Sequence, residues 1–312
     1  MTDRPPLDSP PHRGHVAERW RRLIPIAAVA VALGGGCQRA QGGPALLVAS
    51  GGRLQRLAPD GGLTPVAGAP SNVRHVAAAG GSIVVATDDG RYLVASDVDR
   101  TAERPKWVAR AASVPEAGFT AGIDVSPDGG SLAVVRAQDA ARDLDLVVVD
   151  LATGGTVSRR IDLGANGPPS WLSDDELALE VVDGSGQAEV VAVRADGGGP
   201  LRAESVGFAL AATPDGATIA VADPETGSVV VASRASWWAG DPDGSSIEAP
   251  APDRIVHDIA VDAVGSRVAV AYGQADESRW TIVVYGAGDD AWQRATSRDV
   301  ESDVPVTIDW LD

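Results

Sequence analysis

Apolar residues fall in short runs along this chain, each run ending in a cluster of Gly, Asp or Pro, and no stretch keeps the 3.6-residue spacing of an amphipathic helix for a useful length. The clearest unit starts at Ile123 and reads IDVSPDGGSLAVVRA, then a polar stretch, then DLDLVVVDLATGG. Leu210 to Val221 (LAATPDGATIAV) with Ser228 to Ala232 (SVVVA) repeats it, and so does Ile259 to Ala271 (IAVDAVGSRVAVA) with Trp280 to Tyr285 (WTIVVY). Trp171 to Leu179 with Glu189 to Val193, and Val76 to Ala86 with Arg91 to Ala95, are looser copies. Each unit predicts a short strand, a tight turn, a second β-rich strand, a polar loop and a third strand. The third strand leads to a Gly-rich turn such as Thr153-Gly154-Gly155 or Asp196-Gly197-Gly198. A weaker fourth strand completes several units, at Trp107-Val108-Ala109, Thr156 to Ile161 and Trp292 to Thr296.

Four antiparallel strands in every 40–50 residues or so mark the blade of a β-propeller, whose faces are buried only when blades close into a ring. Five innermost strands begin near Val76, Ile123, Trp171, Leu210 and Ile259, and the sixth, Val306 to Leu311, ends the chain with nothing after it. At the other end, Leu46 to Ala49, Leu54 to Leu57 and Thr64 to Val66 read as outer strands that lack an inner one. The fold class expected is therefore all-β, a six-bladed β-propeller in residues 44–312, closed by pairing of the N-terminal strands with the C-terminal strand. Closure removes the open sheet edges that template aggregation.

Ser126-Pro127-Asp128-Gly129 followed by Leu132-Ala133-Val134, with Thr213-Pro214-Asp215-Gly216 followed by Ile219-Ala220-Val221, resembles the repeat of TolB-type, WD-like bacterial propellers. The resemblance spans nearly all of residues 44–312 and implies the fold more firmly than any function.

Residues 1–36 differ in kind. Arg19, Arg21 and Arg22 precede an apolar stretch from Leu23 to Leu33, and Gly34-Gly35-Gly36 then leads to Cys37, the single cysteine. Eleven residues at 1.5 Å each reach about half of a ~30 Å hydrocarbon core, so the segment reads as a signal peptide and not a spanning helix. Small residues ahead of a cysteine resemble a bacterial lipobox, which implies lipidation at Cys37 and a tether over residues 37–43; Gly34 stands where that family carries Leu. The resemblance implies an extracytoplasmic protein, held on the periplasmic or outer side of a bacterial membrane by its N-terminal lipid.

Charge narrows the partners. The chain has 43 acids against 26 bases, net −17, and Lys106 is its only lysine, which argues against nucleic acid. One cysteine cannot form an internal disulfide. The partner expected is an envelope protein bound by a monomeric propeller without cofactor or metal.

Few residues suggest chemistry. Asp128 and Asp215 read as turn formers whose carboxylates bond nearby amides. Counting from the turns puts His75, Asp124 and Asp309 at matching places on innermost strands, level with Trp171, Ala211 and Ala260 in the other units; they could converge on the central channel, the alternative being solvated strand ends or local hydrogen bonds. With no third His after residue 36 and no second Cys, a zinc site has too few ligands, and no G-x-S-x-G or P-loop occurs. Loops between second and third strands carry Asp88, Asp89, Asp139, Asp183, Asp223, Glu225, Asp276 and Glu277, a candidate acidic rim for a basic partner. Trp237-Trp238 is a candidate interface pair. The reading is a non-catalytic binding or scaffold module; the alternatives are a propeller hydrolase or lactonase with a channel metal, and a glycan-binding propeller using Trp237 and Trp238.

Overall fold

A computed structural model describes residues 44–96, 98, 105–110, 119–137, 144–161, 164–165, 167–182, 188–198, 202–205, 208–223, 226–238, 244–251, 254–274, 278–289 and 291–311. The leader, Cys37 and the tether lie outside these residues. Among the described residues the strands form six sheets, each running antiparallel from an innermost to an outermost strand.

Blade 1 contains Val73–Ala79, Ser82–Thr87, Tyr92–Ala95 and Val108–Arg110, and blade 2 contains Phe119–Val125, Ser131–Ala137, Leu144–Asp150 and Thr156–Ile161. Blade 3 contains Ser170–Ser173, Glu176–Val182, Ala188–Arg194 and Arg202–Ser205, and blade 4 contains Phe208–Ala212, Thr218–Ala222, Val229–Ser233 and Ser245–Ile247. Blade 5 contains Ile255–Val261, Arg267–Gly273, Arg279–Ala287 and Trp292–Glu301. Blade 6 joins the two ends of the chain, with Thr307–Leu311 innermost, then Ala45–Ser50, Arg53–Leu57 and Leu63–Pro65. The seam pairs Leu46 with Trp310, Leu47 with Asp309 and Val48 with Ile308, as the strand count requires.

The ring follows from the apolar runs. Second strands are buried on both faces, so Ser82–Thr87 has no exposed residue, and alternate side chains enter different cores. Ile83 and Val85 pack toward blade 6, while Val84 and Ala86 pack toward blade 2. Six apolar clusters among the described residues fill the six blade boundaries in this way. Each buried Val or Leu contributes about 1.5–3 kcal/mol. Alanines such as Ala260, Ala269 and Ala271 leave room for Trp280 and Trp310 in one boundary.

Two local features depart from the repeat read in the sequence. In blade 3 the innermost position is shared by Gly164–Ala165 and Ser170–Ser173, both on the strand Glu176–Val182. Pro168 and Pro169 interrupt it because proline has no N–H for the ladder. The innermost strands of blades 1, 2, 4 and 5 carry a register shift, at Val73/His75, Thr120/Gly122, Phe208/Leu210 and Val256/Asp258. Such a bulge re-aims the side chains beside it.

Candidate functional site

Each innermost strand has one edge without a strand partner, and those edges line the central channel. Their N–H and C=O groups need other partners. Three aspartates supply them. Asp124 Oδ1 accepts the N–H of Val125 at 2.8 Å and Oδ2 that of Trp171 at 2.8 Å. Asp258 accepts from Ile259 at 3.0 Å and Ile308 at 2.8 Å, and Asp309 from Trp310 at 2.8 Å and Ala78 at 2.6 Å. In every case one oxygen takes the amide of the following residue and the other takes an amide from the next blade.

Other polar groups bridge the same boundaries. His75 Nε2 donates to the Thr120 carbonyl at 3.2 Å, joining blades 1 and 2. Thr307 Oγ1 accepts the N–H of Val76 at 3.2 Å, joining blades 6 and 1. Trp171 and Trp310 donate their indole N–H to the Asp124 carbonyl at 3.1 Å and the Ala260 carbonyl at 3.2 Å. Asp124 and Ala260 thus hold equivalent places counted from their turns, as the sequence alignment expects.

Asp258 escaped that alignment. It lies one same-face step before Ala260 and faces Ala271 as His75 faces Ala86, so His75 is level with Asp258 and not, as the count from the turns expects, with Asp124 and Ala260. The first turn of blade 1, Gly80-Gly81, is two residues shorter than those of blades 2 and 5. The structure places His75, Asp124, Asp258 and Asp309 in the channel lining. An acid in the apolar run Ile255–Val261 was the available signal.

Burial dominates the electrostatics. It pushes the carboxyls of Asp124 and Asp258 up to about 7, against the opposing pull of their amide donors. Asp309 is raised well above the usual carboxylate range, by burial and then by the nearby carboxyl of Asp124. His75 is lowered to about 4, mainly by burial, so its imidazole is neutral at pH 7. The channel is narrow. Its two halves enclose about 60 Å³ and about 50 Å³, well below the ~150 Å³ cavity that holds a benzene. Among the described residues no three His, Cys, Asp or Glu side chains are grouped so as to hold a metal ion.

Six radial sheets around such a channel allow comparison with known folds. The structure resembles TolB from Acinetobacter baumannii with a TM-score of 0.56 at 15% identity, covering 86% of this chain and 66% of that one. In fold, the chain is a TolB-like six-bladed β-propeller. A protein assigned as TolB from Agrobacterium tumefaciens gives a TM-score of 0.50 at 12% identity, covering 86% of this chain and 98% of that one. A gluconolactonase from Xanthomonas campestris gives 0.53 at 13% identity, covering 72% and 76%. No protein-family model and no curated protein matches the sequence.

The remaining candidates occupy ordinary places in the TolB-like ring. Asp128 Oδ1 accepts from the Gly130 N–H at 2.8 Å and Ser126 Oγ at 2.6 Å, and Asp215 repeats this with Ala217 and Thr213. Of the acidic loop residues, Asp88 pairs with Arg74, Asp89 accepts from Arg91 at 2.7 Å, and Asp223 accepts the Thr226 N–H at 3.3 Å. Asp139, Asp183, Glu225, Asp276 and Glu277 lie outside the described residues. Trp237 is on a one-turn helix, Arg234–Trp238. Ser233 Oγ accepts the Ser236 N–H at 3.1 Å and starts that helix. Trp237 is 7% exposed and packs with Leu172, Leu210 and Ala232, so it is a core residue of the boundary between blades 3 and 4. The Trp238 side chain lies outside the described set.

Proposed function

We propose that this chain is a non-catalytic binding propeller of the bacterial cell envelope, exported and anchored by a lipid on Cys37. The observation that carries the first part is the use made of the channel acids. Both oxygens of Asp124, Asp258 and Asp309 accept backbone amides and tie adjacent blades, in a space sized for a short string of waters. That arrangement supports a rigid ring whose loops act on partners and weighs against a channel that turns over a lactone. The acidic balance of the chain favours a partner with a basic surface. Likeness to TolB supports the fold on which this reading stands.

Two measurements test it. Site-specific photo-crosslinkers on the two faces of the ring in living cells should yield a discrete protein adduct from one face; none from either face overturns the binding reading. The purified protein, given a panel of lactones and esters with Ca²⁺ or Zn²⁺, should show no turnover. Hydrolysis that disappears in Asp258→Asn would establish the enzyme instead.

A further inference from the structure

Between blade 5 and the segment 303–305 that leads into blade 6 lies a second cavity, of about 290 Å³, roughly twice the size that encloses a benzene. Its floor is aromatic and fixed. The Trp280 indole N–H donates to the Ser302 carbonyl at 3.0 Å, and the ring lies so close to Gly273 that a Cβ there would sit 2.3 Å from it. The His257 ring meets Trp280 edge-on, with centroids 5.2 Å apart and planes at 62°. Ser302 Oγ donates to the Val304 carbonyl at 2.6 Å and accepts the Val304 N–H at 3.3 Å, which sets the wall formed by Val304 and Pro305. Ile255, at the mouth, is 59% exposed, unusual for a large aliphatic residue at the start of an inner strand.

The polar groups of the slot define its occupant. Asp303, exposed, is the one formally charged residue among the described residues that line it. His257 lines it too, and burial pulls its imidazole down to about 4, so at neutral pH it offers a lone pair and an N–H without charge. An anion entering here would meet Asp303 in a chain of net charge −17. A wholly apolar group would strip water from the Asp303 carboxylate and the imidazole without replacing its hydrogen bonds. A long apolar stem ending in a cationic donor satisfies both parts, as arginine and lysine side chains do.

We propose that this slot receives an arginine or lysine side chain of a protein partner. The stem lies along Ile255, Val304 and the aromatic floor, and the cationic head reaches Asp303 with His257 as an additional acceptor. This deepens the binding reading and rests on it, by assigning the partner's chemistry to one place on the ring.

The full chain, labelled with ¹⁵N, is titrated with Nα-acetyl-arginine amide and with the neutral isostere Nα-acetyl-citrulline amide while the Trp280 indole N–H and His257 ring resonances are followed. Saturable shifts are expected with the arginine probe, with citrulline about fivefold weaker. Asp303→Asn should bring the arginine affinity down to that of citrulline, and Ile255→Ser should weaken both probes; both residues are exposed, so the fold should survive. Equal affinity of the two probes, no change in Asp303→Asn, or no shift with either probe overturns the assignment. Those failures are separate from failure of the crosslinking experiment, which bears on partner binding as a whole.

Discussion

Asp309, in the last strand of the chain, accepts the backbone N–H of Ala78 at 2.6 Å across 231 positions of sequence. The same residue pairs with Leu47 in the seam of blade 6, so it joins the C-terminal strand to the N-terminal strand on one side and to blade 1 on the other. Asp309→Ala leaves the Ala78 amide without its acceptor in a narrow channel. An orphaned donor of this kind costs about 1–3 kcal/mol. A drop in melting temperature of several degrees is expected by calorimetry, and a melt equal to the parent would show that water replaces the carboxylate at no cost.

The channel acids also set how stability depends on pH. Asp124 and Asp258, raised from 3.8 to about 7, keep protons in the folded state that the unfolded chain releases above about pH 4. Folding therefore weakens as pH rises through this window, and that loss is complete about one unit above pH 7; Asp309 extends it upward. His75 and His257, lowered from 6.5 to about 4, act in the opposite sense between pH 4 and 6.5, because there the unfolded chain binds protons that the folded ring excludes. The two effects oppose each other in acid, and only the aspartates remain above pH 6.5. Urea melts should show stability falling between pH 6.5 and 8.5 by about 1 kcal/mol for each of Asp124 and Asp258. The slope should flatten in Asp258→Asn. Rising stability over that interval would contradict the buried-acid account.

Gly216 tests the approach between blades 3 and 4. Its φ is +64°, and a Cβ there would lie 2.0 Å from the Leu172 carbonyl oxygen. Gly154 has a similar φ of +74° with open space around it. Alanine at 154 costs only the left-handed conformation, about 1–2 kcal/mol. Alanine at 216 adds a backbone clash that no side-chain rotation relieves. Chemical denaturation should rank Gly216→Ala clearly below Gly154→Ala, and equal losses would mean that the blades separate easily.

Lipidation rests on the leader and on Cys37. Intact-mass measurement of Cys37→Ala should show loss of the acyl chains, and fractionation should move the protein from membrane to soluble material. An unchanged mass and location removes the anchor from the proposal.

The ring was legible in the sequence because its signals are local and repeated. Pro-Asp-Gly turns, Gly-rich turns and continuously apolar second strands such as Ser82–Thr87 each announce themselves within ten residues or so. The seam followed from counting unmatched strands at the two ends. Asp258 stayed hidden because blade 1 turns through the two residues Gly80-Gly81 where blades 2 and 5 use four, so counting from the turns set His75 against Asp124 and Ala260 and not against Asp258. The one-turn helix that buries Trp237 is too short to show a period, although Ser233 and Ser236 mark its start. The slot between blade 5 and the segment 303–305 gathers Ile255, Trp280 and Asp303 from strands and a loop that only the fold brings together.

Residues Thr307–Leu311 hold the ring closed, and removing residues 306–312 should show how much of the stability depends on closure. The loss is not confined to one strand. Leu46 and Val48 would lose Ile308 and Trp310 from the boundary with blade 5, and Leu47 would lose its inner partner in the boundary with blade 1. Trp310 also donates its indole N–H to the Ala260 carbonyl of blade 5, and Asp258 would lose the Ile308 amide. An arc of five complete blades leaves two apolar sheet faces and a bare edge in water, which favours aggregation over a stable partial ring. The truncated chain should lose its cooperative melt and bind a hydrophobic dye at room temperature. A truncated chain that melts sharply at the parent temperature would show that the five complete blades stand without the seam.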